Sequence, residues 1–408
     1  MKPLGPIPPG FTNIEGELAV SGRKASALVA AGGSTPLFVY SEQLIRRRLS
    51  ALRQAMPGRL SLNYAIKANP FAPILGLMDG LVDGFDIASG GELSLVQAAG
   101  INPARISFAG PGKRDFELEL AISAGVTLNL ESSGEADRVL GIAEQLGITP
   151  RLAIRVNPDF DLKGSGMKMG GGAKPFGVDA DQVPDLARRI IQAGADWRGF
   201  HIFAGSQSLD SEAIVQSQAE TLGLAARLAE ATGHALPQCN LGGGLGIPYF
   251  PGDLPVDLIL IGQRIADAFE KLPDVLKATR FCLEMGRYLV GEAGIYLTRI
   301  VDRKCSHGET FLVVDGGLHH QLAATGNFGT VIRRNYPVAI ASRFDALVEE
   351  EASIVGCLCT PLDRIAEKGG FPRADIGDLV VVFCAGAYGA SASPAQFLGH
   401  GPAVEMLV

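Results

Sequence analysis

The sequence NYAIKANP, residues 63–70, places a lysine at the end of a short run of strand-like residues. Asn69-Pro70 prevents the strand from continuing, so the Lys67 ammonium lies at the mouth of a structural element. Two interpretations fit this position. The lysine could cover apolar neighbours with its aliphatic stem, or it could be a reactive amine that requires partners elsewhere in the chain.

A glycine run, NLGGGLG at residues 240–246, is one possible partner. Its unshielded backbone N–H groups precede a helical segment, as in many phosphate-binding loops, although glycine runs also form tight turns. Arg287 could add charge-assisted hydrogen bonds to a phosphate. Glu284 could keep a pyridine nitrogen protonated, or it could be an exposed carboxylate at a strand end. An amine, a phosphate cradle and an acid together suggest pyridoxal 5'-phosphate, bound as a Schiff base at Lys67.

The elements that must position these residues alternate between strand-like runs and helical patterns. The helical segments carry apolar residues three and four apart, and several end in glycine, as a left-handed C-cap requires. Eight such units of this total length favour a closed (β/α)8 barrel over an open doubly wound sheet. The strand-like runs are 59–67, 84–89, 105–110, 126–132, 151–158, 197–206, 239–245 and 280–287.

After Arg287 the pattern changes to strands separated by turns, which predicts a second, all-β domain. Strand-like pieces such as GELAVSG suggest that the N-terminal segment joins that domain. The predicted division is therefore 1–35 in the β domain, 36–288 in the cofactor-binding barrel and 289–408 in the C-terminal β domain.

In a barrel of this kind the active site forms where strands end at the carboxyl-terminal face. The residues that close the predicted strands are therefore the candidates for cofactor binding. They are Lys67, Asp86, Ser89, Arg155, Phe203, Ser206, Gly242, Gly243, Gly244, Glu284 and Arg287.

Composition excludes several classes of function. The net charge of -7 and pI near 5.5 lack the basic surface of a nucleic-acid-binding protein. The sequence lacks a signal-peptide core and an apolar stretch long enough for a membrane span, so we expect a cytoplasmic protein acting on small molecules. The six cysteines lie mostly in apolar runs, and free buried thiols are the expected state.

Seven motifs occur in order between roughly residues 35 and 390, namely YAIKANP, GFDIASGGEL, AGSQ, GGGLG, EMGRYLVGEAG, CLCTPLD and AGAYG. In this order they resemble the fold type III pyridoxal-phosphate decarboxylases, which include diaminopimelate, ornithine and arginine decarboxylases and share their barrel with alanine racemase. The resemblance implies that Lys67 forms the Schiff base, that Glu284 pairs with the pyridine nitrogen, and that phosphate ligands follow strands six to eight. The implied phosphate ligands are Ser206, Gly242, Gly243, Gly244 and Arg287, and Gly286 is a further cofactor-binding residue.

The resemblance also implies a homodimer with two shared active sites. Cys359 and Tyr388 would enter each site from the β domain of the second subunit. Cys359 would then return a proton to Cα after CO2 leaves. Without the resemblance, Cys359 is a buried thiol and Tyr388 an ordinary interface tyrosine.

Two residues depart from the pattern of the basic-amino-acid decarboxylases. Thr360 stands where an acidic residue usually pairs with the distal ammonium of the substrate. Burying an ammonium without a carboxylate is costly, so a substrate with a distal positive charge is disfavoured. Phe203 stands where a ring-stacking histidine is usual. His201 is then expected to pack in the core or to contact the residues that line the site.

A third departure is the segment DGGLHHQLAATGNFGTVIRRNYP, residues 315–337. It is longer than its counterpart in diaminopimelate decarboxylases, where an arginine and a tyrosine hold the distal end of the substrate. The adjacent histidines 319–320 lack a carboxylate at ligand spacing, so the sequence predicts no metal. The residues expected at the substrate are Arg333, Arg334, Tyr336 and Thr360.

These departures favour an α-decarboxylase for an L-amino acid without a distal ammonium. The chain looks most like decarboxylases encoded with exosortase and exopolysaccharide systems and like the decarboxylase of glutamate tethered to an acyl-carrier protein. The alternatives are diaminopimelate decarboxylase, an amino-acid racemase with a second base opposite Lys67, and a non-catalytic cofactor-binding homologue. The Gly/Lys-rich loop 163–177 is expected near the ligand.

Overall fold

The structure is a computed structural model that describes residues 1–162, 164–327 and 333–408. The chain divides into two compact units. The barrel unit comprises residues 49–246 and 256–286, and the β unit comprises residues 1–48, 247–255 and 287–408.

The N-terminal part of the chain forms short strands and two helices within residues 1–55. The elements are β1 (Thr12–Ile14), β2 (Glu17–Val20), β3 (Arg23–Lys24), α1 (Ala25–Gly32), β4 (Leu37–Tyr40) and α2 (Glu42–Ala55). Strands β1, β2 and β3 form a small antiparallel sheet.

The barrel unit alternates strands with helices. The strands are β5 (Leu60–Ala65), β6 (Gly84–Ile87), β7 (Ile106–Phe108), β8 (Thr127–Leu130), β9 (Arg151–Asn157), β10 (Met167–Lys168), β11 (Val178–Asp179), β12 (Asp196–Ile202), β13 (Gly205–Ser206), β14 (Gln238–Asn240) and β15 (Arg280–Met285). The helices are α3 (Ala72–Asp79), α4 (Gly90–Ala98), α5 (Asp115–Ala124), α6 (Ser133–Leu146), α7 (Val183–Gln192), α8 (Ser211–Thr232) and α9 (Leu258–Glu270).

Parallel pairing closes the barrel. In the described chain the ring runs β5–β6–β7–β8–β9–β12–β14–β15 and returns to β5. Each predicted strand-like run overlaps one strand of this ring, so the predicted (β/α)8 barrel is confirmed. The short strand β11 adds to β9, and β10 pairs with β13.

Local sequence explains where the helices begin. Ser89 accepts a hydrogen bond from the Glu92 N–H and caps α4, and Ser132 caps α6 through the Glu135 N–H. Ser89, a strand-end candidate in the sequence, therefore has a capping role in the structure. No helix in the described part of the chain is long and apolar enough to cross a lipid bilayer.

The β unit is built on a mostly antiparallel sheet that contains two parallel pairs. Its later elements are α10 (Arg287–Val290), β16 (Gly294–Ser306), β17 (Glu309–Val314), β18 (Val338–Ile340), β19 (Glu350–Val355), β20 (Arg364–Phe371), β21 (Leu379–Val382) and β22 (Val404–Leu407). The sheet order is β18–β21–β16–β17–β19–β20, and β17 and β19 are parallel.

Strand β4 corrects the predicted domain boundary. The sequence assigned residues 36–288 to the barrel, but β4 pairs with β16 on one side and with β22 on the other. All four of its residues are buried in the β unit. Residues 36–48 and 247–255 therefore belong to the β unit, because pairing partners distant in the chain decide which sheet an apolar run joins.

We expect Gly262→Ala to destabilise the barrel unit. A Cβ atom at Gly262 in α9 would lie 1.8 Å from the Ala55 carbonyl oxygen, and neither backbone can move freely. Overpacking of this kind costs about 2 kcal/mol of the free energy of unfolding. Denaturant titration followed by the fluorescence of Trp197, the single tryptophan and a residue of β12, measures this change.

The matched control is Gly76→Ala in α3, where a Cβ atom would meet nothing within 4 Å. This variant is expected to be neutral or more stable, since alanine favours a helix by about 1 kcal/mol over glycine. Equal unfolding midpoints for the two variants would contradict the close approach of α9 and α2.

Candidate active site

Lys67 lies at the carboxyl end of the barrel. Strand β5 ends at Ala65, and Lys67 occupies the following 3-10 turn. Its Nζ is 3.3 Å from Glu284 Oε1 and 5.5 Å from the centre of the Phe203 ring. The side chain is 45% exposed, so the amine is paired with a carboxylate yet open to an incoming molecule.

Glu284 is buried at the end of β15. Its Oε2 lies 3.2 Å from His201 Nε2, and because a carboxylate only accepts, His201 must donate this hydrogen bond. Burial raises the pKa of Glu284, but the Lys67 charge and the His201 hydrogen bond outweigh it and lower the pKa below its ordinary value. Burial lowers the pKa of His201. The site therefore holds an ionised carboxylate beside a neutral imidazole.

Asp86 is a second buried carboxyl at the end of β6. Burial, and next the charge of Glu284, raise its pKa well above the ordinary value. Two neighbouring carboxyl groups in a closed site separate in pKa, because ionising both is costly. The pKa of Glu284 is therefore lowered and that of Asp86 raised, which favours the ionised form of Glu284 over that of Asp86.

These side chains surround a cavity of about 210 Å³. It opens where the barrel strands end, the position at which such barrels perform chemistry. Its lining residues are Lys67, Asp86, Ile87, Ala88, Ala109, Gly110, Pro111, Arg155, Met169, Phe176, His201, Phe203 and Glu284. A larger cavity of about 250 Å³, lined by Ser61, Arg198 and Arg280 among others, lies where the strands begin and is remote from Lys67 in the barrel.

The glycine loop after β14 approaches Glu284 through its backbone. The Glu284 N–H donates to the Gly242 carbonyl at 2.7 Å, and a Cβ atom at Gly243 would lie 2.0 Å from the Glu284 carbonyl oxygen. Gly242 and Gly244 have φ angles of 70° and 104°, which favour glycine. No described residue accepts a hydrogen bond from the Gly243 or Gly244 N–H, so these donors are available to an anion.

Arg155 lines the cavity with its charge already paired. Its Nη1 is 2.9 Å from Glu131 Oε1, and its guanidinium lies 5.0 Å from the centre of the Phe176 ring. Glu131 also accepts from the Gly177 N–H at 3.1 Å. The sequence analysis missed Glu131, although a carboxylate directly after an apolar strand was the available signal.

The loop 163–177 contributes to the same cavity through Met169 and Phe176. Residue 163 lies outside the described part of the chain. Within the loop, β10 pairs with β13, and Ser206 of β13 stands opposite Met167. The pairing holds the loop beside the strand end that carries Phe203.

Arg287 and Tyr388 meet within the β unit. Arg287 Nη1 donates to the Tyr249 hydroxyl at 2.8 Å, and its guanidinium lies 4.6 Å from the centre of the Tyr388 ring. The same chain supplies both residues of this contact. That Tyr388 enters the site of a second subunit stays a prediction.

The residues expected at the substrate differ in how deeply they are buried in the β unit. Tyr336 is buried, with its ring centre 4.8 Å from that of Tyr249, and the Arg334 guanidinium lies 3.8 Å from the centre of the Phe250 ring. Tyr336 thus belongs to an aromatic cluster with Tyr249 and Phe250, and its role at the substrate stays a prediction. Arg333 keeps a buried Nη2 without a partner among the described residues, while residues 328–332 of this segment lie outside them.

Cys359 is exposed on the loop between β19 and β20, and Thr360 follows it. Asp363 holds this loop by accepting hydrogen bonds from the Leu358 N–H at 2.9 Å and the Leu318 N–H at 2.6 Å. The sequence analysis missed this role of Asp363. Its position as the last residue of the CLCTPLD motif was the available signal in the sequence.

Comparisons with known proteins show the family of the chain. Residues 42–291 match the family model for the pyridoxal-binding domain of pyridoxal-dependent decarboxylases. The chain is 36% identical to an L-glutamyl-[BtrI acyl-carrier protein] decarboxylase from Niallia circulans, over 91% of this chain and 88% of that protein. It is 33% identical to a diaminopimelate decarboxylase from Methanothermobacter thermautotrophicus, over 97% and 91%.

A solved structure of a decarboxylase has the same fold as this chain. The diaminopimelate decarboxylase from Helicobacter pylori complexed with L-lysine matches with a TM-score of 0.81 and 28% identity. The match covers 92% of each chain, so it includes both the barrel and the mostly-β part.

We expect Gly243→Ala to weaken binding of pyridoxal phosphate. The added Cβ atom must displace either the glycine loop or the end of β15, which carries Glu284. Overpacking of about 1.4 kcal/mol at this point corresponds to about tenfold weaker binding. Titration of the cofactor-free protein, followed by absorbance, measures the dissociation constant. Gly141→Ala in α6, where a Cβ atom has open space, is the control, and equal constants for the two variants would contradict this geometry.

Proposed function

The chain belongs to the pyridoxal-dependent decarboxylases, and on that premise we propose that it decarboxylates an L-amino acid without a distal ammonium, with a carrier-tethered glutamate as the favoured substrate. The protein is a pyridoxal-phosphate-dependent carboxy-lyase. The reaction type rests on the Glu284 carboxylate, with its lowered pKa, beside the Lys67 amine, and the substrate class rests on Thr360.

The donor set of the barrel fits this cofactor. The Lys67 amine would hold the aldehyde carbon, and the Glu284 carboxylate would accept a hydrogen bond from the pyridine nitrogen. The Gly243 and Gly244 N–H groups lack acceptors among the described residues, as a phosphate-binding loop requires. We assign the further cofactor contacts to Asp86, Arg155, Phe203, Ser206, Gly242, Gly286, Arg287 and Tyr388.

When bound, pyridoxal phosphate supplies an electron sink for the electron pair that CO2 leaves behind. Glu284 strengthens that sink, because an ionised carboxylate keeps the ring nitrogen protonated. His201 holds the carboxylate in place with its Nε2–H, and the raised pKa of Asp86 disfavours a second negative charge beside it. Phe203 offers a flat apolar surface against the ring.

The substrate class rests on Thr360. A hydroxyl beside Cys359 cannot neutralise a distal ammonium, whereas it tolerates an amide or thioester. The Niallia circulans relative is named for a glutamyl group on an acyl-carrier protein, which has no distal ammonium. Diaminopimelate decarboxylase is the alternative, since several relatives carry that name.

The test measures CO2 release by the cofactor-loaded protein. The substrates are meso-diaminopimelate, lysine, ornithine, arginine, free glutamate and glutamate loaded on an acyl-carrier protein. We expect turnover of the tethered glutamate and little turnover of the substrates with a distal ammonium. Turnover of diaminopimelate at ordinary enzyme rates would overturn the substrate class and leave the reaction type standing.

Two matched variants test whether Thr360 faces the distal end of the substrate. Thr360→Glu introduces a carboxylate, and a charge-assisted hydrogen bond of about 1.4 kcal/mol would raise kcat/KM for diaminopimelate about tenfold. Thr360→Gln has a similar size without the charge and should not raise it. Equal values for the two variants would show that Thr360 does not face the distal end of the substrate.

We further propose that the protein is a homodimer and that Cys359 acts in the site of the partner subunit, where it returns the proton to Cα. Lys67→Ala and Cys359→Ala homodimers should each be inactive. Mixing them after reversible dissociation should restore about a quarter of wild-type activity, because half of the dimers are mixed and each has one intact site. Failure of the mixture to recover activity, with mixed dimers shown by mass spectrometry, would place Cys359 in its own subunit's site. Cys305→Ala, an exposed cysteine of β16, is the control and should stay active.

A further inference from the structure

A cluster of two histidines and a cysteine lies in the β unit, and it includes neither Arg287 nor its aromatic neighbours Tyr249 and Tyr388. His319, Cys357 and His400 each offer one ligand atom, and these atoms lie within 4.8 Å of one another. The Cys357 Sγ to His400 Nε2 distance is 4.0 Å, and the centres of the His319 and His400 rings are 4.6 Å apart. The proposed decarboxylation uses none of these three side chains.

The imidazole of His319 makes no hydrogen bond in the described part of the chain. It is fully buried, and neither ring nitrogen has a hydrogen-bond partner among the described residues. A neutral imidazole carries one donor and one acceptor, and burying both unpaired is unfavourable. A ligand bound to one of these nitrogens would remove part of that cost.

His320 differs from its neighbour and supports the cluster. Its Nε2 lies 3.0 Å from the Gly401 carbonyl and its Nδ1 lies 3.0 Å from the Tyr296 hydroxyl. Since a carbonyl only accepts, Nε2 donates, and Nδ1 accepts from Tyr296. His320 therefore fixes the backbone next to His400 and leaves the ligand role to His319.

The sheet explains why residues distant in sequence meet. Strands β17 and β19 are parallel neighbours, so the segments after them leave the sheet at the same edge. His319 follows β17, and Cys357 follows β19. The Cys357 Sγ lies 3.5 Å from the Asp315 carbonyl, and the Asp363 carboxylate joins the two segments through the Leu318 and Leu358 N–H groups. The sequence analysis predicted no metal because linear spacing could not show this juxtaposition.

We infer that His319, Cys357 and His400 form a zinc site with one thiolate and two imidazole ligands. Zinc prefers this combination, with sulfur at about 2.3 Å and nitrogen at about 2.0 Å, which sets ligand atoms about 3.5 Å apart. Cys357 and His400 need to approach by roughly half an ångström to reach that spacing. The described residues supply three ligands, and a water or a small ligand completes the tetrahedron.

Zinc at this site would join the His319 segment, the cysteine loop and the C-terminal segment that carries His400. Cys359 is two residues beyond Cys357 on that loop. The metal would therefore restrict the position of the cysteine that is proposed to return the proton. The inference concerns metal binding alone and holds whichever substrate the enzyme uses.

The test measures metal binding by the full-length, cofactor-loaded protein after removal of any histidine tag. Zinc content after equilibration and dialysis is measured by mass spectrometry, and Co2+ replaces zinc for absorption spectroscopy. We expect about one zinc per chain, and with Co2+ the absorption of a tetrahedral centre with a thiolate ligand. Zinc should also raise the unfolding temperature, since a ligand of the folded state stabilises it.

His400→Gln and Cys357→Ser should abolish the bound zinc, the Co2+ absorption and the rise in unfolding temperature. His400 is exposed, so its substitution is expected to leave the fold intact and keeps the test valid if changes at the buried His319 prevent folding. The controls are His234→Gln and Cys305→Ser, whose residues are exposed and lie outside the cluster. Both variants should retain the bound zinc, the Co2+ absorption and the rise in unfolding temperature.

Three results would overturn the inference. The first is a wild-type protein that retains less than about a tenth of an equivalent of zinc after dialysis. The second is retention of zinc by the His400→Gln and Cys357→Ser variants. The third is a protein that, as purified and before any Co2+ is added, carries another transition metal at the same stoichiometry and no zinc.

Discussion

A carboxylate buried at the end of a parallel barrel, Glu284, is the constraint on which the active site depends. An ionised group in such a place is unfavourable unless neighbours compensate it. The Lys67 amine and the His201 Nε2–H do so, and the raised pKa of Asp86 disfavours a second negative charge beside Glu284. Lys67 follows β5, His201 lies in β12 and Glu284 lies in β15, so closure of the barrel is what brings the compensating groups together.

Glycine permits close contacts around Glu284 and Asp363. Gly243 lets the loop after β14 touch the Glu284 backbone carbonyl, where a Cβ atom would be 2.0 Å from the oxygen. In the β unit, Cβ atoms at Gly317 and Gly356 would each be 2.2 Å from an oxygen of the Asp363 side chain. The absence of a side chain thus lets the glycine loop lie against the backbone of β15, and it leaves room for the Asp363 carboxylate between two segments of the β unit.

The β unit fixes the cysteine loop by several independent contacts. Asp363 holds Leu318 and Leu358, and the Asn327 amide donates to the Leu362 carbonyl at 3.2 Å. These contacts join the loop to the long segment after β17. A change in that segment therefore affects the position of Cys359 and Thr360 as well as its own residues.

The sequence by itself determined the features that depend on local patterns. Alternating apolar residues and helix caps predicted the barrel, and the strand ends predicted Lys67 and Glu284 because these signals lie within a few residues of one another. The tertiary structure alone decided the placement of β4, the contact of Tyr388 with Arg287 in the same chain, the burial of Tyr336, and the meeting of His319, Cys357 and His400. An apolar run such as LFVY suits either sheet, and the partners of a side chain remote in sequence are set by packing that local patterns do not record.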